Sequence, residues 1–287
     1  MQLRTDLAME ARELYDPGEG VTSSEEERGD GVTVSRVEVT SELGAKALGK
    51  PIGKYITVQL PPLTDSAFVP DERFDTVTAE IAAMLPAEGL VLVVGLGNRG
   101  ITPDALGPRV AQQVLATRHI TEELRRSANF TGLRAVAVMT PGVLGQTGIE
   151  VCELLRTLCD KLKPAAVIVI DAMASRRLSR LGCTVQISNA GISPGAGVGN
   201  NRPAINREEL GVPVISIGVP TVVEAETLVH DLSPGAKEED FASRGSAMIV
   251  TPREIDLLIE RAARLLALSI NSALHPDIDP VELLAVV

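Results

Sequence analysis

Tryptophan is absent from this chain of 287 residues, and two tyrosines and four phenylalanines are its whole aromatic complement. Stacking platforms of the kind that hold single-stranded nucleic acid are thereby nearly excluded. Positive charge is also in deficit: 27 Lys and Arg stand against 38 Asp and Glu, for a net charge of −11. Such a field repels phosphate backbones and favours a basic partner, so no direct nucleic-acid binding is expected. Long apolar runs are missing too; the longest, near Leu90–Val94 and Ala165–Ile170, fall far short of a membrane span. The amino terminus, M-Q-L-R-T-D-L-A-M-E-A-R-E-L-Y, carries acidic residues and no apolar stretch, which is not a secretory signal. A soluble cytoplasmic protein with no membrane partner is the expectation. The three cysteines, Cys152, Cys159 and Cys183, are too few and wrongly spaced for a zinc cluster. Cys152 and Cys159 lie a heptad apart on a predicted helix, so the three read as buried, reduced thiols.

What is present is aliphatic. Hydrophobic residues make up 45% of the chain, so with so few aromatics the core must be built from Val, Ile, Leu and Ala. Continuous apolar runs at Leu90–Gly95, Ala135–Val138, Ala165–Ile170 and Val214–Ile217 are bounded by turn residues and separated by helical patterns. This is the signature of parallel strands covered on both faces. Ahead of them, Val32–Thr40 alternates and Gly53–Leu60 is β-branched and aromatic, so both read as strands that pair as neighbours; Thr184–Ser188 is a further strand. The predicted fold class is therefore α/β, a three-layer α/β/α sandwich with a largely parallel twisted central sheet. Helices are predicted over Ser66–Leu85, after Thr102-Pro103, after a capping box at Thr147-Gly148-Ile149-Glu150, and after another at Thr251-Pro252-Arg253-Glu254. Residues 17–31 and 233–246, rich in Gly, Ser and acidic residues, read as mobile loops.

The string G-L-G-N-R-G at Gly95–Gly100 has the form of a dinucleotide fingerprint. That motif needs a helix opening inside it and an acidic residue about 20 positions on at a strand end. Here the helix waits for Thr102-Pro103, and Thr121-Glu122-Glu123 follow a helix, so a nucleotide cofactor is not expected. Two aspartates are better placed. Asp104 follows the Leu90 strand and Asp171 ends the strand A-A-V-I-V-I-D, which sets both on the rim of strand ends where ligands bind in doubly wound sheets. Alone, Asp104 also reads as a first-turn carboxylate favouring a helix dipole, and Asp171 as a turn aspartate or a partner of Arg176 or Arg177. As a close pair they cannot both ionise easily, so one would hold a proton and act as acid while the other activates water. Glycine-rich rim loops at Pro141–Gly148 and Gly191–Arg202, the latter with Gly195 and Gly197, either approach a substrate chain or form tight turns. Metal-ligand signals are thin. There is no H-E-x-x-H, and His119, His230 and His275 are scattered. A nucleophilic serine lacks its G-x-S-x-G elbow. No metal and no cofactor is assigned. Two other readings stay open at this point: a metal-assisted hydrolase with Asp104, Asp171 and Glu150 as ligands, and a binding scaffold whose rim aspartates hold loops.

Across nearly the whole chain the sequence resembles the germination proteases of spore-forming bacteria. The resemblance is carried in order by R-T-D-L-A, L-V-V-G-L-G-N, T-P-D-A-L-G-P, P-G-V-L-G-Q-T-G-I-E, V-I-D-A-M-A, V-Q-I-S-N-A-G-I-S-P-G-A-G-V-G-N, P-V-I-S-I-G-V-P-T-V-V and M-I-V-T-P-R-E-I-D. It implies a fold like that of hydrogenase maturation proteases, and an endopeptidase that degrades small acid-soluble spore proteins in the spore core during germination. It also implies a catalytic pair at Asp104 and Asp171, site-lining roles for Asn98, Thr147, Glu150, Gly195 and Gly197, and assembly as a homotetramer. Family members are made as zymogens that remove their own leader by cutting between an acidic residue and a hydrophobic residue followed by alanine. Asp6-Leu7-Ala8 matches that pattern, dividing the chain into a leader, 1–6, and a single protease domain, 7–287.

Overall fold

The computed structural model describes residues 5–14, 19–65, 70–121, 123, 132–196, 202–232 and 248–286. Among these, nine strands form one sheet: β1 (Val21–Glu27), β2 (Thr33–Val39), β3 (Gly53–Gln59), β4 (Val91–Gly95), β5 (Val136–Met139), β6 (Ala166–Ala174), β7 (Thr184–Ser188), β8 (Val214–Glu224) and β9 (Ile249–Val250). Their order is β1-β2-β3-β7-β8-β6-β4-β5, with β9 attached to the far end of β8. The four apolar runs form the parallel half, β8-β6-β4-β5. The alternating strands extend it as an antiparallel half, in which β2 and β3 pair as the sequence suggests. Every residue of β4 is buried, as expected of a strand with helices on both sides.

Those helices complete the three layers. On one face lie α3 (Glu72–Met84), α4 (Leu106–Ala111) and the long α9 (Ile255–Leu274). On the other, α6 (Val151–Leu162) and the single turn α7 (Arg207–Leu210) cover the parallel strands with Cys152, Leu155, Cys159 and Leu210. At the antiparallel end, α1 (Ala8–Leu14) and α2 (Glu42–Leu48) pack on Val37, Val39 and Tyr55. The short α5 (Leu144–Thr147), α8 (Ala225–Leu232) and α10 (Pro280–Val286) complete the described helices. Among the described residues, no helix is long and apolar enough to cross a membrane.

Several local expectations are corrected. Residues 21–27, read as part of a loop, form edge strand β1; six of its seven residues are exposed, so no buried face imposes an apolar alternation. The other predicted loop, 233–246, lies outside the described residues. Thr147 does not cap α6. It ends α5, where Gly148 turns the chain into the left-handed region at φ 69°, and its Oγ1 accepts from Ile149 N at 3.1 Å. Thr251 does not cap α9 either: its hydroxyl donates to Thr221 O at 2.9 Å, and the helix starts later, at Ile255. The helix after Thr102-Pro103 splits into a 3-10 turn, Thr102–Asp104, and the short α4. All three cysteines are free thiols, but only Cys152 and Cys159 are buried; Cys183 is half-buried.

Candidate active site

The parallel strands differ in length, and that difference makes the site. β4 stops at Gly95, whereas β6 and β8 run on side by side to Ala174 and Val222. Leu96 N makes the last contact with β6, donating to Ile170 O at 2.8 Å. Asp171 is thus the first residue of β6 beyond the end of β4. Strand order also reverses here, since β4 lies between β5 and β6, and such switch points leave a crevice at the carboxyl ends of the strands.

The chain leaving β4 folds back over that crevice. Gly97 has φ +111°, and a Cβ there would lie 2.0 Å from Asp104 O, so the turn carrying Asp104 presses directly on the glycine backbone. Gly107 behaves similarly: its missing side chain lets α4 sit against Leu96 O and Ile170 O, at 2.2 and 2.5 Å from an ideal Cβ. The glycines of the G-x-G string therefore serve close backbone packing. Asn98 N donates to Asp104 Oδ2 at 2.7 Å, while Asn98 Oδ1 accepts from Gly100 N and from Gln146 Nε2, each at 2.9 Å. From the far side Thr221 donates to Pro103 O at 2.8 Å, fastening β8 to the Asp104 turn.

Asp104 and Asp171 line one cavity of about 550 Å3. Asp171 is only 6% exposed and accepts from Ala172 N at 3.0 Å. Burial, followed by the negative charges of Asp104 and Asp6, pushes its carboxyl well above the usual carboxylate range. Burial also raises Asp104, but the Asn98 N–H opposes that shift by favouring the ionised form. One buried carboxyl is thus biased to stay protonated beside another that has a donor for its anion. Apolar side chains, among them Ile101, Val143, Leu144, Met173 and Ile249, make up much of the remaining wall.

Of the residues singled out from sequence, Asp6, Asn98, Asp104, Glu150, Asp171 and Gly195 line this cavity. Thr147 does not, because its hydroxyl is engaged in the α5 turn; Gly197 lies outside the described residues. Leu7 is fully buried next to Asp6. Glu150, considered as a third metal ligand, is paired with Arg202 at 3.3 Å. Among the described residues no group of three His, Cys, Asp or Glu side chains could hold a metal ion. Arg202, Thr221 and Thr251 were missed. Thr221 lies beyond Ile217, where the apolar run of β8 ends, and the other two are brought in by loops whose course has no sequence period.

The germination protease family matches residues 3–233. A germination protease of Caldanaerobacter subterraneus subsp. tengcongensis is 45% identical, covering 98% of this chain and 97% of that protein. One from Clostridium perfringens is 40% identical, with 96% of each covered. Among solved structures, the [NiFe] hydrogenase maturation protease HycI from Thermococcus kodakarensis is similar with a TM-score of 0.40 and 19% identity, covering 68% of this chain and 98% of that one.

Proposed function

Because this chain belongs to the germination protease family, and so is a peptidase, we propose that it cuts small acid-soluble spore proteins during germination with Asp104 and Asp171 as its catalytic pair. The observation that carries this reading is the shared cavity, in which burial and neighbouring carboxylates raise the pKa of Asp171 and Asn98 N donates to Asp104 Oδ2. Asp104 then takes a proton from water as general base. Asp171 donates its proton toward the scissile carbonyl, whose oxygen gains negative charge as the water oxygen attacks carbon. Collapse of the tetrahedral species returns the hydroxyl proton to Asp171 and breaks the C–N bond, the amine leaving with the proton that Asp104 took from water.

The apolar wall suits a hydrophobic residue after the cut, in keeping with cleavage between an acidic and a hydrophobic residue. By the same preference the chain removes its own leader at Asp6–Leu7; membership of the family supports work in the spore core and assembly as a homotetramer. The decisive experiment is mass spectrometry of a purified small acid-soluble spore protein incubated with this chain in excess chelator, with Asp171→Asn as control. Cleavage after an acidic residue by wild type alone is expected. Cleavage by both proteins would overturn the pair, and activity only after a divalent ion is restored would make the aspartates metal ligands. Absence of cleavage by the wild-type chain under every condition would return the molecule to a binding scaffold.

A further inference from the structure

The segment leading into α1 is fixed on both sides of the Asp6–Leu7 peptide. Asp6 N donates to Ala174 O at 2.9 Å, and Ala174 N donates to Asp6 Oδ2 at 2.8 Å, so Asp6 is seated on the end of β6 within the cavity of Asp104 and Asp171. Its carbonyl oxygen accepts two hydrogen bonds, from Lys50 Nζ at 3.0 Å and from Gln186 Nε2 at 3.0 Å. The same Lys50 ammonium reaches Thr5 O at 2.9 Å, and Gln186 Oε1 accepts from Ala8 N at 2.7 Å. Together they hold the chain one residue before and one residue after the bond. Leu7 and Ala8 are wholly buried.

An anchor needs one donor, and main-chain amides of the sheet would supply it. Here an ammonium and a side-chain amide, from the turn after α2 and from β7, converge instead on one peptide oxygen. Lys50 is partly withdrawn from water to do so: burial lowers its pKa, with Asp6 and Glu10 acting in the opposite direction. Two donors about 3 Å from one carbonyl oxygen, one of them positively charged, are the arrangement that stabilises developing negative charge in acyl transfer.

We propose that Lys50 and Gln186 form an oxyanion site for hydrolysis of the Asp6–Leu7 bond within the same molecule. This rests on the reading that the chain removes its own leader. In the step, a water oxygen bonds to the Asp6 carbonyl carbon as its proton passes to a cavity carboxylate. The carbonyl π pair moves onto the oxygen facing Lys50 and Gln186. When that pair returns, the C–N bond breaks and Leu7 N takes a proton from the other carboxyl; the new Asp6 α-carboxyl then yields its proton to the Leu7 amine, leaving an α-carboxylate beside Lys50 and a Leu7 ammonium. No further reactant is needed.

The test follows the intact mass of the full-length chain over time for wild type, Lys50→Met, Lys50→Arg and Gln186→Leu, each with its thermal midpoint and its cleavage of a spore protein added in trans. The expected result is loss of residues 1–6 from wild type at a rate independent of protein concentration. That rate should fall on the order of a hundredfold in Lys50→Met and Gln186→Leu and recover in part in Lys50→Arg. Leader loss at the wild-type rate in a folded Lys50→Met or Gln186→Leu would overturn the oxyanion site alone. If Lys50→Met fails to fold, Gln186→Leu decides. A wild-type chain that cuts the added protein but never itself, or only at a rate rising with concentration, would overturn self-processing within one molecule and this site with it.

Discussion

Asp171 carries a thermodynamic cost that follows from its surroundings. Its carboxyl ionises at a higher pH in the folded chain than in the unfolded one, because burial and two neighbouring carboxylates oppose its charge. Below the unfolded value both states are protonated and the group contributes nothing. As pH rises above about 4, the unfolded chain releases this proton first, so stability declines until the folded carboxyl also ionises. Asp171→Asn should therefore abolish cleavage while raising the thermal midpoint at pH 7, with the gain shrinking toward pH 4; a lowered midpoint at pH 7 would contradict this account. Gly97→Ala should do the reverse to the fold, costing about 1–3 kcal/mol in urea unfolding through positive φ and the Asp104 backbone, and losing cleavage as the Asp104 turn shifts. Both aspartates were legible in the sequence because each follows an apolar run, and a strand end is something a run of residues can mark. Lys50, Gln186 and Arg202 were not: Lys50 lies 44 residues and Gln186 180 residues from the carbonyl they share, and only folding brings them together.

At the scale of elements, burial was the readable signal. The run predicted as Thr184–Ser188 is β7 with the same ends, its Val185 and Ile187 alternating with buried polar residues, and Leu90–Gly95 differs from β4 by one residue, being covered on both faces and without a polar side chain. Val214–Ile217 and Ala165–Ile170 were cut short because β8 and β6 continue past the core into the rim, where Asp171, Thr221 and Glu224 break the apolar pattern and a bulge at Thr221 shifts the register. The two threonine capping boxes misled for a shared reason. Each hydroxyl had another partner nearby, Ile149 N for Thr147 and Thr221 O for Thr251. The helix that most supports the site is α9, which buries thirteen of its twenty residues and packs on both α3 and α4. Leu266→Ala, at a fully buried position of α9, should cost about 2–5 kcal/mol by denaturant titration. A loss below about 1 kcal/mol would mean that α9 is peripheral.

For the molecule as a whole, two half-sheets meet around one cavity. The parallel half supplies Asp104 and Asp171; the antiparallel half, through β7 and the turn after α2, supplies Gln186 and Lys50, which hold the Asp6 carbonyl. A charge of −11, with a row of exposed glutamates on β1, surrounds them. No retardation of duplex DNA is expected at 50 mM salt (about the low end at which phosphate contacts dominate), and a retarded band would overturn the inference from charge. The anchoring of α1 has one more consequence. Glu10 is fully buried, accepting from Thr5 and from Arg176 N and Arg177 N at 2.7 and 2.9 Å, and Glu13 pairs with Arg176, Arg177 and Arg180. If the leader is removed as proposed, these contacts would keep α1 pinned, and the new chain end would be Leu7, which is wholly buried in the uncut chain. Such an anchored end should resist an aminopeptidase and react with amine-selective reagents more slowly than the lysines, so a processed protein would carry its own shield against trimming from the front.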